Sequence, residues 1–133
     1  MATHRYRRSE GAVYSLKYHI VWRPKYRRPV LTRAIAEDAA SLIREQADRL
    51  GATVHALEVM PDHVHLCLES DPTLPVQFLA NQFKGYTSRV LRDRYPALKS
   101  RLPSLWSRSY YVGTVGAVSE ASVRRYIAAQ KGV

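Results

Sequence analysis

Residues 53–70 read TVHALEVM-PD-HVHLCLES, two runs of eight alternating residues with only Pro61-Asp62 between them. Alternation of this kind is the period of a strand, and two residues allow nothing but a tight turn between neighbours. The remaining elements must be arranged around that pair. Residues 13–23, VYSLKYHIVWR, also alternate: Tyr14, Leu16, Tyr18, Ile20 and Trp22 share one face, and Ser15, Lys17 and His19 the other. Pro24 and Pro29 break the run. From Thr32 to Leu50 the spacing becomes helical, with Ile35, Ala39, Leu42, Ile43, Ala47 and Leu50 in one stripe, Thr32 placed to cap and Gly51 to stop it. A second helix is predicted over Pro75–Arg94, closed by Pro96, and residues 106–115, WSRSYYVGTV, form a fourth strand. Ser119 is the best cap for a last helix through EASVRRYIAAQ. The order β-α-β-β-α-β plus a C-terminal helix predicts an α+β fold, a ferredoxin-like antiparallel sheet with helices on one face.

At 133 residues, 46% of them hydrophobic, the chain is one domain over 1–133, with a basic arm at 1–11 and the last helix at 119–131. Cys67 is the lone cysteine, which excludes an intrachain disulfide and a thiolate cage built from one chain. No apolar run approaches the roughly 18 residues of a membrane span, so a soluble protein of a reducing compartment is expected, with no membrane partner. The net charge of +10 makes a polyanion the default partner. That charge is segregated. Nine of the 21 Lys and Arg lie between Arg5 and Arg33 against the single acid Glu10, and seven between Lys84 and Arg108 against Asp93.

Within HVHLCLES, residues two apart point the same way, their Cα atoms roughly 7 Å apart. Val64, Leu66 and Leu68 then face the helices, while His63, His65 and Cys67 occupy the open face, where the two imidazoles can close on one cation. Two polar residues on a solvated face is the plain alternative. A third ligand decides the kind of site. Cys67 is too far along the strand to share an ion with His63: the two Cα atoms stand roughly 13 Å apart, and a zinc joining His and Cys spans only about 10 Å. The last helix offers Tyr126 and Gln130, four apart and so stacked on one helical face, although a tyrosine in an apolar stripe is ordinarily packing.

The segments YSLKYHIVWRPKYRRPVL, EVMPDHVHLCLE, LWSRSYYVGTVG and VRRYIAAQ together resemble the single-tyrosine, TnpA-type transposases of the HUH endonuclease superfamily, found in compact bacterial insertion sequences. The likeness runs through essentially the whole chain, in order. It implies that His63 and His65 bind a divalent cation, Mg²⁺ or Mn²⁺, that Gln130 is the third metal ligand and that Tyr126 is the nucleophile. It further implies a ferredoxin-like fold, a homodimer, a bacterial cytoplasmic setting, and single-stranded DNA hairpins at element ends as the substrate. In these proteins an acidic residue often follows the YI pair; Ala128 stands there instead.

For phosphate contacts the candidates are Arg23, Lys25, Arg27 and Arg28 in the proline-bounded segment, then Lys84, Arg89 and Arg108; Trp106, Tyr110 and Tyr111 are candidates for stacking on bases. His4, His19 and His55 have no partner at ligand spacing and are read as structural or surface residues. Two other functions fit parts of the pattern. A non-catalytic RNA- or DNA-binding module explains the charge but leaves the paired histidines as coincidence. A zinc-dependent hydrolase would use His63, His65 and a carboxylate, Asp62 or Glu58, the latter sharing a face with Val54, Ala56 and Met60 in simple alternation.

Overall fold

The computed structural model describes residues 7–9 and 12–115. Strands β1 (Arg7–Ser9) and β2 (Ala12–Tyr14) pair with each other as a small antiparallel ribbon. The main sheet is built from β3 (Leu16–Pro24), β4 (Thr53–Met60), β5 (His63–Ser70) and β6 (Trp106–Thr114), in the spatial order β4-β5-β3-β6 with every neighbour antiparallel. Helices α1 (Arg33–Arg49) and α2 (Val76–Arg94) supply the two crossovers, and this is the expected β-α-β-β-α-β arrangement. Among the described residues no helix is long and apolar enough to cross a membrane.

The alternation in β3 and β5 explains where the core forms. Ile20, Trp22, Val64, Leu66 and Leu68 are all buried on the helix side, against Ala39, Leu42, Ile43 and Ala47 of α1 and Leu79, Phe83 and Leu91 of α2. Trp22 stacks on Phe83 at 6.4 Å between ring centroids and meets Trp106 edge-on at 5.9 Å. The Trp106 indole donates to Thr87 Oγ1 at 2.9 Å, and Thr87 in turn donates to the Phe83 carbonyl at 2.7 Å. Gly51 ends α1 at φ 69°, a left-handed conformation that a side chain would resist.

Several boundaries differ from those predicted, and β3 runs through Pro24, which was expected to break it, with Pro24 opposite Trp106 across a register shift. The strand expected over 13–23 divides at Ser15: Ala12–Tyr14 belongs to the ribbon and β3 begins at Leu16. Ser15 departs from the ladder and its hydroxyl donates to Glu69 on β5. Pro96 does follow the end of α2, but it also begins a short helix α3 (Pro96–Arg101), because a proline at the first helical position surrenders only an N–H that had no intrahelical partner. Val115 lies just outside β6, though its N–H still bonds the Lys17 carbonyl at 2.9 Å. The helix expected over 119–131, with its Ser119 cap, and residues 1–6 of the arm lie outside the described residues.

Candidate metal and nucleic-acid site

The sheet face opposite the helices carries the chemistry-bearing side chains. Register sets Glu58 directly opposite His65 and Met60 opposite His63, with His19 opposite Cys67 on the other side of β5. This face was expected to be open, yet His63, His65 and Cys67 are only 4%, 2% and 3% exposed. β5 is an inner strand, and side chains from both neighbours crowd it. The His19 ring, 1% exposed, stacks on His65 at 5.0 Å with an 18° interplanar angle.

Simple alternation put Val54 on the same face as Glu58, and here the structure differs. β4 has a bulge: Val54 opposes Leu68 but Ala56 opposes Cys67, so His55 is an extra residue that reverses the alternation. Val54 therefore joins the helix side, while Ala56, Glu58 and Met60 line the histidine side. The displaced His55 places Nε2 2.7 Å from Glu69 Oε1.

Each motif histidine has a carboxylate at Nδ1. His63 Nδ1 is 3.0 Å from Asp62 Oδ1, and His65 Nδ1 is 3.5 Å from Glu58 Oε1. At 3.0 Å the Asp62 carboxylate accepts from the Nδ1–H of His63, which leaves that Nε2 as a lone-pair donor, whereas the 3.5 Å contact between His65 and Glu58 is electrostatic. That chemistry fits a divalent cation held by the two Nε2 atoms. The Nε2 of His65 lies 2.8 Å from His19 Nδ1, one proton serving the pair, so an ion and His19 compete for one nitrogen. Sequence reasoning left His19 as a lone residue. The available signal was its parity with Lys17 on the polar face of β3; the missing knowledge was the register that brings it beside His65. Among the described residues no group of three or more His, Cys, Asp or Glu is arranged to hold a metal. Cys67 is buried, in no disulfide, two residues beyond His65. Tyr126 and Gln130 lie outside the described residues.

Glu69 is buried at the far end of the same face. Burial works against its charge, but hydrogen bonds from Ser15 and His55, with the positive charges of His55 and Lys17, outweigh it and hold the carboxyl below the usual range. A carboxylate with a lowered folded-state pKa contributes stability above its ordinary value of 4.5 and loses it as pH falls through the folded value. Acid unfolding of the wild type is thus expected to steepen below that point, and Glu69→Gln to flatten the same region, as read from urea midpoints across a pH series.

The basic candidates do not converge on one place. Lys25, Arg27 and Arg28 sit in and just after a 3₁₀ turn that follows β3, beside Arg23, while Lys84 and Arg89 are on α2, across the sheet. Lys84 Nζ donates to the carbonyls of Ser107 and Arg108 at 2.8 and 3.1 Å, and burial pushes its ammonium below the ordinary lysine range. It ties α2 to a second bulge, where β6 slips register against β3 between Trp22 and Pro24. Arg89 is exposed, its guanidinium 5.5 Å from the Tyr86 ring centroid, and Arg108 is exposed on β6. Of the aromatic candidates, Trp106 belongs to the core and is not available to bases. Tyr110 opposes Trp22 on the helix side, whereas Tyr111 opposes Val21 and faces the histidines.

Comparison with known proteins gives the same assignment as the motifs. Residues 12–130 match the family model described as "Transposase IS200 like". The ISDra2 transposase TnpA of Deinococcus radiodurans is 36% identical over 126 residues, 93% of this chain and 90% of that protein. The transposase for insertion sequence element IS200 of Salmonella typhimurium is 32% identical over 116 residues, 86% of this chain and 76% of that one. A crystal structure of a Deinococcus radiodurans R1 protein described as a transposase superposes with a TM-score of 0.80 at 36% identity, covering 93% and 97% of the two chains. A REP-associated tyrosine transposase, solved bound to a REP hairpin, shares the fold at a TM-score of 0.52 and 13% identity, over 94% of this chain and 68% of the other. With the fold, the paired histidines and near full-length likeness in agreement, the chain belongs to the IS200-like family of HUH transposases.

Proposed function

We propose that this transposase cuts and rejoins single-stranded DNA at insertion-sequence ends through a 5′-phosphotyrosine on Tyr126. The observation that carries the reading is the pair His63 and His65, side by side on one face of β5, each with a carboxylate at Nδ1. His63 and His65, with Gln130, would hold a Mg²⁺ or Mn²⁺ ion. When bound, such an ion withdraws charge from the scissile phosphate and stabilises the added negative charge of the transition state. The Tyr126 oxygen forms a bond to phosphorus as the P–O3′ bond breaks; the phenol gives up its proton and the departing strand leaves as a 3′-OH. A phenol, with a pKa near 10, leaves more readily than a sugar hydroxyl, so a second 3′-OH can attack the linkage and rejoin strands without ATP.

The substrate reading draws on the net charge of +10 and on the need for a strand accessible on both sides of the cut. Arg23, Lys25, Arg27 and Arg28 would contact its phosphates, with Arg89 and Arg108 reaching outlying segments, and Lys84 holding β6 in place for them. One tyrosine per chain suits a homodimer that handles one element end per subunit, acting on DNA in the bacterial cytoplasm.

The test is incubation with a single-stranded oligonucleotide carrying an element-end hairpin plus Mn²⁺ or Mg²⁺, followed by a denaturing gel. A covalent protein–DNA band that disappears with chelator is expected. Retention without a band would assign a binding module, and cut product without a band a hydrolase.

A further inference from the structure

Tyr26 adopts φ 60° and ψ 17°, and Arg27 follows at φ 55°. Two consecutive left-handed residues, neither Gly nor Asn, are uncommon because the Cβ atom crowds the following carbonyl. Burial of the ring does not offset this strain, since Tyr26 is 65% exposed, the most exposed of the large hydrophobic residues described. The turn is instead fixed from outside: the Lys25 N–H bonds the Leu105 carbonyl at 2.8 Å, and that of Arg28 returns to the Lys25 carbonyl at 3.3 Å. The backbone is thus held in a shape that presents an aromatic ring to solvent, between Lys25, whose ammonium lies 5.7 Å from the ring centroid, and Arg27.

The ring borders a concavity of about 510 Å³ between the turn and the bulge of β6, lined also by Arg23, Arg27, Ser109 and Tyr111. This is the size range of small-ligand pockets. Its inner wall includes Val21, which register places directly between His65 on β5 and Tyr111 on β6. Trp22 and Tyr110 of the helix side line it as well, so the concavity lies at the strand ends and meets the histidine face through Val21, Arg23 and Tyr111. Two strand spacings, roughly 10 Å, separate β5 from β6, within reach of the nucleotides next to a phosphate at the histidines. An exposed aromatic face, arginines and hydroxyls are the groups that hold an unpaired base and its phosphate.

We propose that Tyr26 is a stacking platform for one unpaired base adjoining the scissile phosphate, with Arg23 and Arg27 on the backbone of that nucleotide. This rests on single-stranded DNA being the substrate. The experiment places 2-aminopurine at successive single-stranded positions of a hairpin oligonucleotide and titrates the full-length chain. Quenching concentrated at one position is expected for the wild type, with duplex DNA giving none. Tyr26→Gly and Tyr26→Asn suit the left-handed backbone while removing the ring, so the melting temperature should hold or rise as affinity falls. The expected loss is roughly 5- to 150-fold, the worth of one stacked base, and Tyr26→Phe should restore both quenching and affinity. If the wild type binds and quenches and either ringless variant matches it, this inference is overturned alone. If the wild type binds no single-stranded oligonucleotide, the substrate reading falls with it.

Discussion

Tyr126→Phe is expected to bind hairpin DNA like the wild type and to form no covalent adduct, a loss on the order of 10⁴-fold or more, as for removal of other enzymic nucleophiles. The ring survives the substitution and only the reacting oxygen is lost, so binding and folding should be spared. The chain has nine tyrosines, and the structure argues against four of the other eight. Tyr18 is buried on the helix side, and burial raises its pKa, making it a poorer nucleophile. The Tyr95 hydroxyl donates to Asp38 at 2.7 Å, and Tyr86 bonds Glu45, both among the helices. Tyr111 is the serious rival, because it lies on the histidine face two strands away from His65, with Val21 between them. Its hydroxyl, however, lies over Gly113 on the same strand, where even an added Cβ would clash with it. Tyr111→Phe should therefore leave the adduct intact. Loss of the band in Tyr111→Phe, with retention in Tyr126→Phe, would transfer the nucleophile to the sheet.

The strand and helix order was legible in the sequence because each element carries its own period. Both strands of the 53–70 hairpin begin and end where the alternation and the Pro61-Asp62 turn put them. Relations between elements were not legible. Nothing local marks His55 as the extra residue of a bulge, so Val54 was placed on the wrong face. Nothing local pairs His19 with His65, because their contact arises from the β3–β5 register across 46 residues. The burial of the histidines was missed for a related reason: a two-residue period says which side a residue faces, not how crowded that side is. Tyr26 was invisible for a third reason. Its position in KYRR suggests a basic turn, and only coordinates reveal a left-handed backbone there. The motif HVH and the basic segments, by contrast, were readable at once, since their chemistry depends on residue type and spacing.

Trp22→Ala should be the most damaging single change to stability among the described residues. The side chain is 1% exposed and wedged between Phe83 of α2 and Trp106 of β6, so truncation leaves a cavity where sheet and helix meet. Large-to-small replacement of a buried aromatic costs about 3–5 kcal/mol, against a total of about 5–15 kcal/mol for a domain. A fall in melting temperature of roughly 10–20 °C follows at this chain length. Trp22→Phe should cost much less, for a specific reason: the buried Trp22 Nε1 meets no acceptor among the described residues, so removing that N–H relieves a desolvated donor while most of the apolar surface stays. Three residues back along β3, His19 predicts the opposite pattern. It sits on the other face against His65, so His19→Phe should melt near the wild type while changing metal affinity, measured by Mn²⁺ titration of the protein without DNA. One strand thus separates folding from chemistry by the parity of its positions. Equal stability losses at Trp22→Ala and His19→Phe, with unchanged Mn²⁺ binding in the latter, would show that the two faces are not divided in this way.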